Sequence, residues 1–217
     1  MSANNAKIVV LISGNGSNLQ AIIDATESGR IPGSVVGVIS NRPDVFGLER
    51  ANEHNIQAQV IDHKSYETRE QYDQVLASSI AALNPDVVVL AGFMRILTAD
   101  FVEQFEGKLI NIHPSLLPKY QGLNTHQRAL DAGDEEHGCS VHFVNEQLDG
   151  GPVILQAKVP VFGDDDADSL ADRVHVQEHL IYPLVVKWLC EKRLRLQSDG
   201  VYLDNSLLPE QGYANDE

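Results

Sequence analysis

The feature that most constrains this chain is an alternation. Short, β-branched apolar runs take turns with stretches whose apolar residues recur at helical spacing. The runs occupy 7–12, 35–39, 56–61, 86–91 and 109–112. Between them, Leu19, Ile22 and Ile23 repeat with a helical period that Gly29 closes. A short helix fits 46–54. Tyr72, Val75, Leu76, Ile80 and Leu83 predict another, stopped by Asn84-Pro85, and Thr98 is placed to cap a third that runs through Phe105. Residues 125–132 read as one more, ended by Gly133. Strand followed by helix, five times over, predicts a parallel sheet with helices on both faces.

The last third changes character. Residues 139–144 alternate as a strand, and 153–161 follow as another after a turn-rich loop, so the two are expected to pair as an antiparallel hairpin at the sheet edge. A long helix over 169–190 is expected to bury Leu170, Val174, Ile181, Leu184, Val185, Trp188 and Leu189. The tail from Gln197 onward has mixed polarity and is expected to fray. The expectation is therefore an α/β fold: a single doubly wound, mostly parallel sheet with helices on both faces and an antiparallel edge hairpin, in one domain over 1–217.

Composition excludes several classes. No apolar run approaches the roughly 18 residues of a membrane span, and the start lacks the apolar stretch of a signal peptide. Two cysteines, Cys139 and Cys190, give no disulfide framework and fit a reducing, cytoplasmic setting. No Cys/His spacing suits zinc, and no metal is expected. Residues 163–168 form an acidic loop without EF-hand spacing, which reads as a solvated helix start. A net charge of −15 repels phosphate backbones, so no nucleic-acid partner is expected. It leaves room for a small anion held by backbone amides.

Ser13-Gly-Asn-Gly-Ser-Asn18 lies between the first strand and the first helix. It is either a tight turn or a cradle whose helix-start N–H groups hold a phosphate. It is a poor dinucleotide fingerprint, because Leu19 takes the third glycine position and no acidic residue follows the second strand for a ribose. Residues 92–97 are apolar around one charge, Arg95, which suits either core packing or the wall of a pocket for a flat ring. In the strand at 109–112, Asn111 and His113 stand two apart, so they share a face where Pro114 ends the strand. Such a pair is a strand end with two ordinary polar residues, or an oxyanion donor beside a proton carrier. Asp149 sits in Leu-Asp-Gly-Gly, as an Asx turn or as a carboxylate that orients an imidazole and favours its protonated form. Ser115 lacks the setting of a nucleophile. His142 is expected to pack or hydrogen-bond within the sheet, and His126 and His137 carry no signal of their own. Asn, His and Asp with no placed Ser or Cys suit direct transfer between two bound substrates.

Four motifs, in order, carry a resemblance: Ser13-Gly-Asn-Gly-Ser-Asn18, Val87-Val-Val-Leu-Ala-Gly-Phe-Met-Arg95, Asn111-Ile-His-Pro-Ser-Leu-Leu-Pro-Lys119 and Leu148-Asp-Gly-Gly-Pro152. From Ile8 to about Tyr213 the chain resembles the folate-dependent phosphoribosylglycinamide formyltransferases. The resemblance implies the formyltransferase fold and formyl transfer from 10-formyltetrahydrofolate to the amine of phosphoribosylglycinamide, in purine synthesis. The amine substrate would use the N-terminal half and the folate the C-terminal half. Gly16, Ser17 and Asn18 would hold the phosphate, and Glu178 the ribose. Arg69, Met94, Arg95, Ile96 and Leu97 would line the folate site, with Asn111 and the backbone around Val144. Asn111, His113 and Asp149 would be catalytic. His175 stands where some relatives carry Gln near the substrate, and no role is assigned to it. The shared motifs leave a hydrolase that releases formate as the alternative, although 217 residues leave no room for the regulatory domain of the deformylases or the RNA-binding domain of the tRNA formyltransferases. Small-molecule substrates and a monomer or homodimer are expected.

Overall fold

The computed structural model describes residues 5–214. The elements, in order, are β1 (Ala6–Ile12), α1 (Ser17–Glu27), β2 (Gly33–Ser40), α2 (Phe46–Glu53), β3 (Ala58–Val60), α3 (Arg69–Ala82), β4 (Val87–Leu90), α4 (Ala99–Gln104), β5 (Leu109–His113) and α5 (Thr125–Ala132). Then come β6 (Glu136–Phe143), β7 (Val153–Pro160), α6 (Ala167–Cys190), β8 (Leu194–Gln197), β9 (Gly200–Leu203), β10 (Ser206–Leu207) and β11 (Tyr213–Ala214).

The main sheet runs β11-β7-β6-β5-β4-β1-β2-β3. The strands from β3 to β5 are parallel, while β6 is antiparallel to both β5 and β7. Side chains alternate across β1. Ile8, Val10 and Ile12 meet α1 and α6 on one face, and Val9 and Leu11 meet α3 and α4 on the other. Both faces are covered, which is why β1 from Ile8 to Ile12 and all of β4 are continuously apolar rather than alternating.

Chain order reverses between β1 and β4. From β1 the chain moves outward through β2 and β3, then returns to β4 on the other side. The loops leaving β1 and β4 therefore diverge and open a crevice at the C-terminal ends of the strands, the usual ligand position in such sheets. Ser13 bridges the two loops, accepting a hydrogen bond from the Met94 amide at 2.8 Å and donating to Asn41 at 2.6 Å. Below them, the buried Tyr182 hydroxyl of α6 donates to the Leu90 carbonyl at 2.8 Å.

Three expectations are corrected. The tail from Gln197 to Ala214 is built into sheets rather than frayed, and the expectation for 215–217 lies outside the described residues. β8, β9 and β10 make a small antiparallel sheet whose Leu194, Val201 and Leu203 are buried in the core, and β11 pairs in parallel with β7. That parallel β11 places a strand outside the hairpin, so β7 is not the edge. Leu184 is 39% exposed: the buried stripe of α6 passes through Leu170, Val174, Glu178, Tyr182, Val185 and Val186, and Leu184 falls beside it.

Candidate active site

Asn111 and His113 emerge together at the end of β5. His113 is 5% exposed. Its Nε2 donates to the Tyr120 carbonyl at 2.9 Å, and its Nδ1 lies 3.3 Å from Asp149 Oδ2. Both ring nitrogens face oxygen acceptors, which fixes the plane of the ring. The turn after Pro114 is pinned from below. Ser115 donates its hydroxyl to the Lys119 carbonyl at 2.6 Å, and Ser140 donates to the Ser115 carbonyl at 2.6 Å. The Ser115 hydroxyl is thus spent inside the turn, in line with its lack of a nucleophile's setting.

Asp149 is not an Asx turn. Its carboxylate reaches across to the 120s loop and accepts from the Gly122 amide at 2.9 Å. The local Asx turn belongs to Asn145, which accepts from the Gln147 amide. Asp149 has φ +48°, in the left-handed region that Asp tolerates better than most residues. Two residues on, a Cβ at Gly151 would stand 1.8 Å from the Phe143 carbonyl oxygen, so only glycine lets this loop press against β6.

His142 hydrogen-bonds within the sheet, as expected, and one of its partners is Asn111. The β5–β6 register puts Asn111 opposite His142 and His113 opposite Ser140. His142 Nδ1 donates to the Phe143 carbonyl at 2.8 Å, while Nε2 lies 3.1 Å from Asn111 Nδ2 and 3.9 Å from Asp149 Oδ1. Burial holds its pKa below the ordinary histidine value. Behind this group, His126 and His137 face each other at 3.1 Å, and burial lowers the His137 pKa to about 4.

A cleft opens beside Asn111 between the β4–α4 and β6–β7 loops. Phe93, Ile96, Leu97, Val144 and Leu148 wall it, with Asn111, His142 and Asp149 exposed to it. Arg95 lines it too. Its guanidinium lies 6.0 Å from the Tyr72 ring, and its Nε is buried without a partner. The structure does not bring Arg69 and Met94 to this wall. Arg69 is exposed at the start of α3, and the Met94 side chain is 57% exposed while its amide is held by Ser13.

On the other side lies the loop after β1. Gly16 takes φ +76° just before α1, where no side chain caps the helix, leaving first-turn N–H groups for an anion. Ser17 opens α1. Asn18 donates from Nδ2 to Glu178 Oε2 at 2.8 Å, joining α1 to α6, and its Oδ1 is buried without a partner. Glu178 is 4% exposed, and that burial raises its pKa. His175 Nε2 is 3.9 Å from Glu178 Oε2.

Sequence reasoning missed Arg50. From α2 it donates to the Asn15 carbonyl at 2.9 Å and to Asn15 Oδ1 at 3.1 Å, which fixes the loop. Nothing local in the sequence signals that contact. A hollow of about 370 Å³ beside the loop is lined by Ser17, Gln20, Arg30, Arg50 and His179, among others. The acidic loop before α6 is used by the helix itself: Asp166 caps it, and Asp165 pairs with Arg173 at 2.7 Å.

A family model described as "Formyl transferase" matches residues 6–186. The phosphoribosylglycinamide formyltransferase of Escherichia coli (strain K12) is 58% identical over 97% of this chain and 99% of its own length. The trifunctional purine biosynthetic protein adenosine-3 of Homo sapiens is 43% identical over 90% of this chain, which corresponds to 19% of that longer protein. A solved phosphoribosylglycinamide formyltransferase from Coxiella burnetii superposes with a TM-score of 0.93 at 47% identity, covering 97% of this chain and 99% of that one.

Proposed function

We propose a function from one premise: the chain belongs to the formyl transferase family and, within it, to the phosphoribosylglycinamide formyltransferases. It is a one-carbon group transferase. Its donor is 10-formyltetrahydrofolate, its acceptor the amine of phosphoribosylglycinamide, and its products formylglycinamide ribonucleotide and tetrahydrofolate, in the purine pathway of the cytoplasm. The whole chain acts as one domain, with the phosphate in the N-terminal half and the folate in the C-terminal half.

One observation carries this reading. Asn111, His113 and Asp149 converge between an apolar cleft and an uncapped helix N-terminus. The phosphate rests on the amides of Gly16, Ser17 and Asn18, and Glu178 reaches the ribose. The donor's ring enters between Ile96, Leu97 and Val144, and Arg95 meets the donor's charged end. As it stands the cleft encloses about 80 Å³. Pockets for drug-sized ligands run to roughly 300–1,000 Å³.

The amine attacks the formyl carbon. A C–N bond to the acceptor forms, the carbonyl oxygen takes the electron pair, and the bond to the donor nitrogen breaks as the tetrahedral centre collapses. One proton leaves the amine and one arrives on the departing nitrogen. Asn111 Nδ2 donates to the oxyanion, the His113 ring turns its Nε2–H from the Tyr120 carbonyl to that oxyanion when the substrates bind, and Asp149 keeps the ring oriented through Nδ1. No step needs a covalent enzyme intermediate.

The test is a spectrophotometric assay of 10-formyltetrahydrofolate turnover with and without the ribonucleotide. Turnover that requires the ribonucleotide and yields its formylated product is expected. Turnover that ignores it and yields formate would overturn the reading in favour of a hydrolase.

A further inference from the structure

The transfer just described gives no task to the most deeply buried imidazole of the site. His142 is 2% exposed, sits directly across the β5–β6 ladder from Asn111, and follows an irregularity of register between Val141 and His142 in the pairing of β6 with β7. The extra residue is Ile154 on β7, so β6 keeps its regular register with β5 and holds the His142 ring on the same face as Ser140. There the ring stands 3.1 Å from the amide of Asn111.

Its protonation follows from its neighbours. A carbonyl oxygen can only accept, so the 2.8 Å contact with Phe143 fixes a hydrogen on Nδ1. Among the described residues the one carboxylate facing the ring, Asp149, is 3.9 Å from Nε2, beyond hydrogen-bond reach. With no acceptor in reach at Nε2, a cation would leave a buried donor unpaired. The neutral ring therefore presents a lone pair at Nε2. Only the Nδ2 end of the Asn111 amide can donate to it.

We propose that His142 is a positioning residue for Asn111. As a neutral, Nδ1-protonated ring it locks the Asn111 amide so that Nδ2 keeps one hydrogen on His142 and turns the other to the oxyanion. Without this lock the amide is free to flip and present its own oxygen, which repels the developing negative charge. The inference rests on the transfer reaction proposed above, in which Asn111 is an oxyanion donor.

Two experiments test it. The first is ¹⁵N NMR of the histidine-labelled wild-type protein, with His142 assigned through the His142→Gln variant. A neutral ring protonated at Nδ1 is expected, and a ring protonated at Nε2 overturns the proposal. The second is a double-mutant cycle. His142→Leu is expected to lower kcat by about tenfold or more with both KM values within about threefold, the signature of lost oxyanion stabilisation. His142→Gln, which can offer an acceptor to Asn111, restores most of that loss. In an Asn111→Ala background the step from His142 to Gln or Leu changes kcat by less than about twofold, because the group it positions is gone. Full, additive losses in that background overturn the proposal. If His142→Leu does not fold, the Gln arm and the spectrum still decide. Failure of the wild-type donor and acceptor assay would remove the reaction itself and leave the ring's tautomer as measured.

Discussion

The two ends of the site are built differently. At the β5–β6 end the polar side chains are spoken for: His113 between Tyr120 and Asp149, Asn111 against His142, Asp149 against Gly122. At the β1–α1 end groups are left waiting. Asn18 Oδ1 is buried without a partner, α1 starts without a side-chain cap, and Glu178 is a carboxylate kept where burial disfavours its charge. The difference separates chemistry from capture. Donors that must meet a transient charge gain from being fixed beforehand, since reorganisation during the reaction is costly. Groups that hold a stable ligand can leave their last bonds for the ligand to complete.

The largest effect expected from this contrast is on turnover. Asn111→Ala should lower kcat by about 10²–10³, the usual cost of one oxyanion donor, with the melting temperature nearly unchanged because Asn111 is only partly buried. A loss confined to KM would put Asn111 on the capture side and break the comparison.

Glu178→Gln should do the reverse at the other end. The KM for the amine substrate should rise about tenfold or more, the cost of a hydrogen bond to a charged group, while kcat changes little. Stability should move the opposite way. The folded-state pKa of Glu178 is raised, so the unfolded chain ionises first, and the penalty grows as pH rises from the ordinary carboxylate value through the folded one. The Gln variant should therefore melt higher than wild type at neutral pH, by about 2–4 °C per kcal/mol relieved, with the gain gone at pH below the ordinary carboxylate value. Melting curves at the two pH values check this. A variant less stable at neutral pH contradicts it.

Gly16→Ala is a smaller, structural probe of the loop. A Cβ there would stand 2.8 Å from Gly47 Cα on a backbone at φ +76°. That costs about 1–3 kcal/mol, to be read as a lower melting temperature together with a raised amine-substrate KM. An unchanged melting temperature would mean the loop yields freely. Smallest of all is the exposed pair of Lys158 and Glu136, whose removal by Lys158→Ala should stay within about 1 kcal/mol in denaturant melts and leave both ends of the site untouched.

How much could be read from residues alone tracks how local the cause is. The alternating layers were legible because β1 beyond Lys7 and all of β4 are buried on both faces and helices such as α3 carry their own period and caps. Asn111 and His113 were legible because i and i+2 share a strand face. The pairing of Asn111 with His142 was not, because it depends on which strands become neighbours and in what register. The same holds for Arg50, which grips Asn15 from 35 residues away, and for β11, whose two residues gain strand character only by lying along β7. Arg69 and Met94 were named from the resemblance, and no residue pattern fixes where the side chain of an exposed loop or a helix start points.

The most direct measurement is made on His113→Ala, with turnover and substrate binding determined on the same preparation. The account predicts that kcat falls by about 10²–10³ while calorimetric affinities for the ribonucleotide and for a stable 10-formyl folate analogue stay within about threefold of wild type. Near-normal turnover, or a loss explained entirely by weaker binding, would contradict the division of the site into a fixed chemical end and a waiting capture end.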